Sequence, residues 1–160
     1  MQQPGSVSTG YNQPVTTETH SNLKERCLPY RGATGFGVGT VTFRPIEARL
    51  NKDKDFIGKM DPYCKFKIGF HRGKTSVATG QGMNPHWNEA IVLKTKNHGH
   101  AKVKVKDRDR LTFNDRLGSA KIPLDSLYQA GRSSQWIPLT KGDKVTGEIL
   151  VEMEYLPKTI

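Results

Sequence analysis

From Gly39 onward, apolar and polar residues alternate in short runs that recur every 10 to 20 positions with turn residues between them, the period-two signature of half-buried strands. Val41 and Phe43 open the first run, and Ile46, Ala48 and Leu50 continue it after a one-residue change of phase at Pro45. A phase change at a proline predicts a bulge or an edge position. Cys64, Phe66 and Ile68 alternate with Tyr63, Lys65 and Lys67, so the second set is expected to face solvent. Ile91 and Leu93 follow Trp87. Val103 and Val105 alternate with Lys102, Lys104 and Lys106. Ile122 and Leu124, then Trp136 to Leu139, and finally Ile149, Val151, Met153 and Tyr155 complete the series. Asp125 to Ala130, stopped by Gly131, predicts one helical turn. Trp87 and Trp136 are expected to anchor the core.

About eight short strands in roughly 120 residues predict an all-β fold, a two-sheet antiparallel sandwich. A parallel sheet would need crossover helices, for which there is no room. Residues 1–38 read differently. They are rich in Gln, Ser, Thr, Gly and Pro, lack any apolar period, and end in the run Gly32, Gly35, Gly37, Gly39. Such a segment buries too little to offset its ordering entropy, so it is expected to be a flexible tail, with the folded domain over 39–157 and a short end at 158–160. Gly35-Phe36-Gly37-Val38-Gly39 has no strand before it and no helix after it, which excludes a dinucleotide loop.

Composition narrows the class. The chain has 160 residues, 34% of them hydrophobic, with 16 Gly and 9 Pro, against a helical bundle. No stretch approaches the ~18 apolar residues of a membrane span. Twenty-five Lys and Arg against 15 Asp and Glu give a formal charge of +10, which favours anionic partners. Two cysteines, Cys27 and Cys64, make no disulfide framework and suggest a reducing compartment. Without a signal-like start, and with Gln2 where myristoylation requires glycine, the expected place is the cytoplasm.

Two acidic loops hold the candidate chemistry. The first runs from Asp53 to Pro62, between the first two strands, and the second from Asp107 to Asp115, after the Lys-Val-Lys-Val-Lys strand. Asp107 and Asp109 are two apart and project to one side of an extended chain. Such a carboxylate pair is costly unless a cation neutralises it. Hard oxygen donors from two loops are what Ca²⁺ takes and Zn²⁺ does not.

Asp61-Pro62-Tyr63, then Asn84-Pro85-His86-Trp87-Asn88-Glu89, then Asp107-x-Asp109-Arg110 with Asp115 and Leu117-Gly118, resemble the motifs of the C2 domain. This is the Ca²⁺-dependent membrane-targeting module of protein kinase C and the synaptotagmins. The resemblance covers Gly39 to Pro157 and implies an eight-stranded antiparallel β-sandwich. The strand from Val41 to Leu50 feeds the first acidic loop directly and the extra strand comes last, as in the family's type II topology. It further implies Ca²⁺ as cofactor, held by Asp55, Asp61, Asp107, Asp109 and Asp115, with backbone carbonyls of Lys54 and Arg108 completing the shell. Asp53 matches no ligand position. Phe56 and Leu111, with Ile57 and Phe113 beside them, resemble the residues by which the family enters membranes. Lys65 and Lys67 occupy positions where phosphoinositide-binding members carry lysines, whereas Thr75 and Val77 stand where more would be expected. Lys74, Lys102, Lys104 and Lys106 compensate.

The five ligands removed, 10 acids oppose 25 bases, and two or three Ca²⁺ would add roughly +4 to +6 at one end. That end would turn from repelling anionic lipid to attracting it. Lys52, Lys54, Lys59, Arg108, Arg110 and Arg116 crowd the loops and compete for the carboxylates, so micromolar or weaker Ca²⁺ affinity is expected without lipid. The leading expectation is calcium-regulated binding to anionic phospholipid membranes by a non-enzymatic adaptor in signalling or trafficking, cytoplasmic until Ca²⁺ recruits it. The alternative is a structural protein–protein interaction subunit whose residues 1–38 bind a partner, with Ca²⁺ incidental. Clustered aspartates also suit two-metal phosphoryl hydrolysis, but no base or nucleophile accompanies them: Ser133 and Ser134 have no matching His and Asp. His98 and His100 read as a polar hairpin tip. Nucleic acid is not expected, because no aromatic-and-basic strand signature is present.

Overall fold

The computed structural model describes residues 37–51, 60–108 and 115–159. Eight strands and one short helix alternate along them: β1 (Val38–Leu50), β2 (Pro62–Ile68), β3 (His71–Lys74), β4 (Ile91–Lys96), β5 (His100–Asp107), β6 (Arg116–Pro123), α1 (Asp125–Ala130), β7 (Arg132–Lys141) and β8 (Lys144–Pro157). Every pairing is antiparallel, in the order β3-β2-β5-β6-β7-β8-β1-β4. Between β6 and β7 the described register is a single pair, Ser119 with Thr140. The sheet folds over at this seam into two layers, β3-β2-β5-β6 and β7-β8-β1-β4. Phe43 of β1 and Phe66 of β2 stack between them at 4.7 Å, a contact worth ~0.5–1.5 kcal/mol beyond its buried area. The fold is the expected all-β sandwich, with β1 leading into the first acidic loop and β8 paired to both β1 and β7.

Alternation places the core as the sequence predicted. Val41, Phe43, Cys64, Phe66, Ile68, Val103, Val105, Ile149 and Val151 are all at most 1% exposed. The β1–β8 register shifts between Pro45 and Glu47. Pro45 has no N–H to donate, and it falls just where β1 leaves the β4 ladder after Phe43. Beyond it, β1 bonds instead to the 83–87 segment, through Ala48 N–H to Pro85 O and Leu50 N–H to Met83 O. Gly39 belongs to the strand: a Cβ there would lie 2.1 Å from the Leu156 carbonyl oxygen.

Two side chains depart from expectation. Tyr63, expected outside, is buried, beside Pro62 at the strand's entry. Trp136, expected in the core, is half-buried, with the Arg49 guanidinium 4.2 Å from its ring centre. Trp87 is buried as expected.

The end of the sandwich remote from the acidic loops is closed by α1. Leu127 and Tyr128 face inward, and Gly131 ends the helix with φ 77°. The Tyr128 hydroxyl lies 2.7 Å from Thr95 Oγ1 and donates to the His98 carbonyl at 2.8 Å. Among the described residues no helix is long and apolar enough to cross a membrane.

Candidate functional site

β5 ends where it must for Asp107 to serve a site. The alternation that buries Ala101, Val103 and Val105 turns Asp107 inward, and it is 5% exposed. The β5–β6 ladder shifts register between Val105 and Lys106, where Leu117 is the extra residue on β6, a bulge next to the candidate site. Asp107 pairs with Pro62, which brings the residue before Pro62 alongside.

The contact that results is direct. The Asp61 N–H donates to Asp107 Oδ1 at 2.7 Å. The Arg108 N–H donates to the Asp61 carbonyl at 3.1 Å, and the Asp107 N–H to the Asp115 carbonyl at 2.8 Å. Asp61 Oδ1 in turn accepts the Gly80 N–H at 2.6 Å. One oxygen of each carboxylate is therefore oriented by a backbone donor, a charge-assisted bond stronger than a neutral one. Asp61, Asp107, Arg108 and Asp115 thus meet at one end of the sandwich through segments far apart in sequence. Asp115 and Arg108 are exposed there. Asp55, Asp109 and Lys54, with Phe56, Ile57, Leu111 and Phe113, lie outside the described residues. Among the described residues, no group of three or more His, Cys, Asp or Glu side chains is arranged to hold a metal.

The second candidate surface is the outer face of the β3-β2-β5-β6 layer. Lys65 pairs with Lys74 on one side and Lys104 on the other. Lys67 pairs with Arg72 and with Lys102, and Lys102 with Lys121 and Lys106 with Arg116. Like charges directly opposite are destabilising, and here they run in rows across four strands. The only acid in these strands is Asp107, buried at the end. Lys65, Lys67, Arg72, Lys74, Lys102 and Lys104 rim a depression of about 450 Å³. Arg116 and Lys121 join Lys102 and Lys104 around a neighbouring one of about 410 Å³.

The basic face is fuller than the sequence suggested. Thr75 and Val77 lie past the end of β3, in a segment that still bonds to β2 through the Thr75 N–H to Cys64 O at 3.0 Å. Thr75 is buried, and its hydroxyl accepts the Cys64 N–H at 3.0 Å. The neighbouring strand is β3, and it supplies Arg72 and Lys74. Arg72 and Lys121 were not singled out by sequence, although Arg72 and Lys74 flank a glycine at strand spacing.

A C2 domain family model matches residues 39–139. The chain belongs to the C2 domain family. Elicitor-responsive protein 3 of Oryza sativa subsp. japonica is 31% identical to it over 122 residues, spanning 75% of this chain and 85% of that one. The solved structure titled "C2 domain-containing protein from putative elicitor-responsive gene" is similar in fold, with a TM-score of 0.68 and 30% identity over 80% of this chain and 95% of its own. A calcium-bound structure of the two tandem C2 domains of Extended-Synaptotagmin 2 superimposes with a TM-score of 0.64 and 25% identity, over 76% of this C2 chain and 46% of that one.

Proposed function

We propose that this C2 domain binds anionic phospholipid membranes under the control of Ca²⁺ and acts as a non-enzymatic adaptor. Family membership and the synaptotagmin relatives support membrane or lipid binding. The observation that carries the calcium reading is the junction of Asp61 and Asp107, two oxygen-donor residues from separate loops locked together by the Asp61 N–H. All donors in the proposed ligand set are hard oxygens, the chemistry Ca²⁺ prefers, and the similar structure of Extended-Synaptotagmin 2 is calcium bound. Asp61 and Asp107, with Asp55, Asp109 and Asp115 and the carbonyls of Lys54 and Arg108, would hold the ion. The bound ion would supply net positive charge at that end, where the carboxylates are otherwise offset only by neighbouring lysines and arginines.

The protein's own residues then divide the work. The carboxylate cluster itself repels anionic headgroups until an ion neutralises it. Lys65, Lys67, Lys104 and Lys106 attract those headgroups throughout, at about 1 kcal/mol for each lysine near the surface. Phe56, Ile57, Leu111 and Phe113 are assigned to insertion, where two such side chains contribute on the order of 3–6 kcal/mol. Cosedimentation with phosphatidylserine vesicles tests this reading. Recruitment should rise with Ca²⁺ and reverse with chelator. Equal recruitment in both would refute calcium control, and recruitment in neither would refute membrane binding.

A further inference from the structure

Phe70 sits at the tip of the β2–β3 hairpin and is 93% exposed, the most exposed large apolar side chain among the described residues. The turn beneath it is fixed. Gly69 adopts φ +53°, and a Cβ there would lie 2.2 Å from the His98 ring nitrogen Nε2, so the tip is braced against the β4–β5 turn. Gly at the first of two turn residues, with φ positive there alone, suits a tight hairpin. The ring is therefore held out by a rigid support.

Its surroundings are cationic. The pair Lys67 and Arg72 is the second behind the turn, after Ile68 and His71, with Lys102 on the next strand. The acidic junction lies at the other end of β2, about 24 Å away for seven strand residues. An aromatic ring flanked by lysine and arginine is the composition of an interfacial anchor. The convex tip offers a protein partner no pocket, whereas a fluid headgroup layer yields to it. Charge complementarity selects an anionic bilayer.

We propose that Phe70 is a membrane anchor at the end of the basic face remote from the acidic loops, acting without Ca²⁺. This rests on the membrane-binding reading above and adds a second point of attachment. With both ends engaged, the domain lies along the bilayer on its β3-β2-β5-β6 layer rather than standing on its acidic loops.

The test uses the full chain in chelator with vesicles of phosphatidylcholine, with and without phosphatidylserine. Phe70→Ser should weaken binding to the phosphatidylserine vesicles by roughly tenfold and leave the melting temperature unchanged. Phe70→Trp should emit as a water-exposed indole in solution, then shift to the blue and be quenched by brominated lipid on these vesicles; wild type, with Trp87 and Trp136 only, supplies the background. Unchanged binding by Phe70→Ser, or emission from the introduced indole that vesicles do not alter, overturns the anchor while wild-type binding keeps the membrane reading alive. An already shifted emission without vesicles also overturns it, because another part of the chain would then cover the tip. If wild type binds no vesicle even with Ca²⁺, the membrane reading itself falls, and the anchor with it.

Discussion

Replacing Asp107 in two ways separates its structural work from its proposed ligand role. Its Oδ1 accepts the Asp61 N–H at 2.7 Å from a position 5% exposed. Asp107→Ala leaves that N–H without its acceptor, a loss of about 1.5–3 kcal/mol for a bond to a charged group. In a domain of this size that is a fall in Tm of roughly 5–12 °C. Asp107→Asn keeps a carbonyl oxygen of the same shape and gives up only charge, so its cost should be about 1 kcal/mol or less. Both variants lose an anionic donor and should lose Ca²⁺-dependent vesicle recruitment. Differential scanning calorimetry and cosedimentation on the same preparations read the two effects. A variant Asp107→Asn as unstable as Asp107→Ala would refute the acceptor argument. Full calcium response in Asp107→Asn would refute the ligand argument.

Further outcomes follow from the same geometry. Lys65→Ala with Lys67→Ala should weaken binding to phosphatidylserine vesicles in chelator by roughly 30-fold, from about 1 kcal/mol per lysine, with the gap closing as salt is raised; cosedimentation across a salt series checks it. Gly39→Ala must displace the Leu156 carbonyl, 2.1 Å from the new methyl, and should cost about 1–3 kcal/mol of stability in urea unfolding. Burial, and less strongly Glu89, pushes the Cys64 thiol well above its ordinary range, and burial raises Tyr128 and Tyr155. Their protons are released more readily by the unfolded chain. Stability is therefore full below about pH 8.5 and declines as pH rises beyond it. Urea midpoints from pH 7 to 10.5 should fall, and Cys64→Ala should flatten the earlier part of that fall.

Much of the sandwich was legible in the sequence because each strand has one wet face. Alternation located β2, β5 and β8, and the phase slip at Pro45 marked the register shift in β1. The same rule held the answer for Trp136: Ile137 and Leu139 are buried at strand spacing, which puts Trp136 on the opposite face. Tyr63 broke the pattern in the other direction, since a tyrosine at a strand's entry can bury its ring on either side. The hairpin from β2 to β3 was harder to read. Gly69-Phe70 is a weak turn signal, and without it the partner strand slid to Thr75 and Val77. At the acidic end, spacing singled out Asp107 and the resemblance to the C2 family added Asp61 and Asp115, and the backbone brings these together. What spacing could not supply was the Asp61 N–H to Asp107 bond. It depends on Pro62 pairing with Asp107, a contact between residues 45 positions apart.

The rows of facing lysines make the folded state a strained electrostatic assembly. Lys65 stands between Lys74 and Lys104, and Lys67 between Arg72 and Lys102, so each strand pairing is formed against repulsion. Whatever screens those charges relieves the fold as well as occupying the surface. By mass action, a polyanion that prefers the native face raises the melting point in step with its affinity. Thermal resistance and membrane residence are then two readings of one equilibrium, and the domain is least robust when it is free in dilute salt.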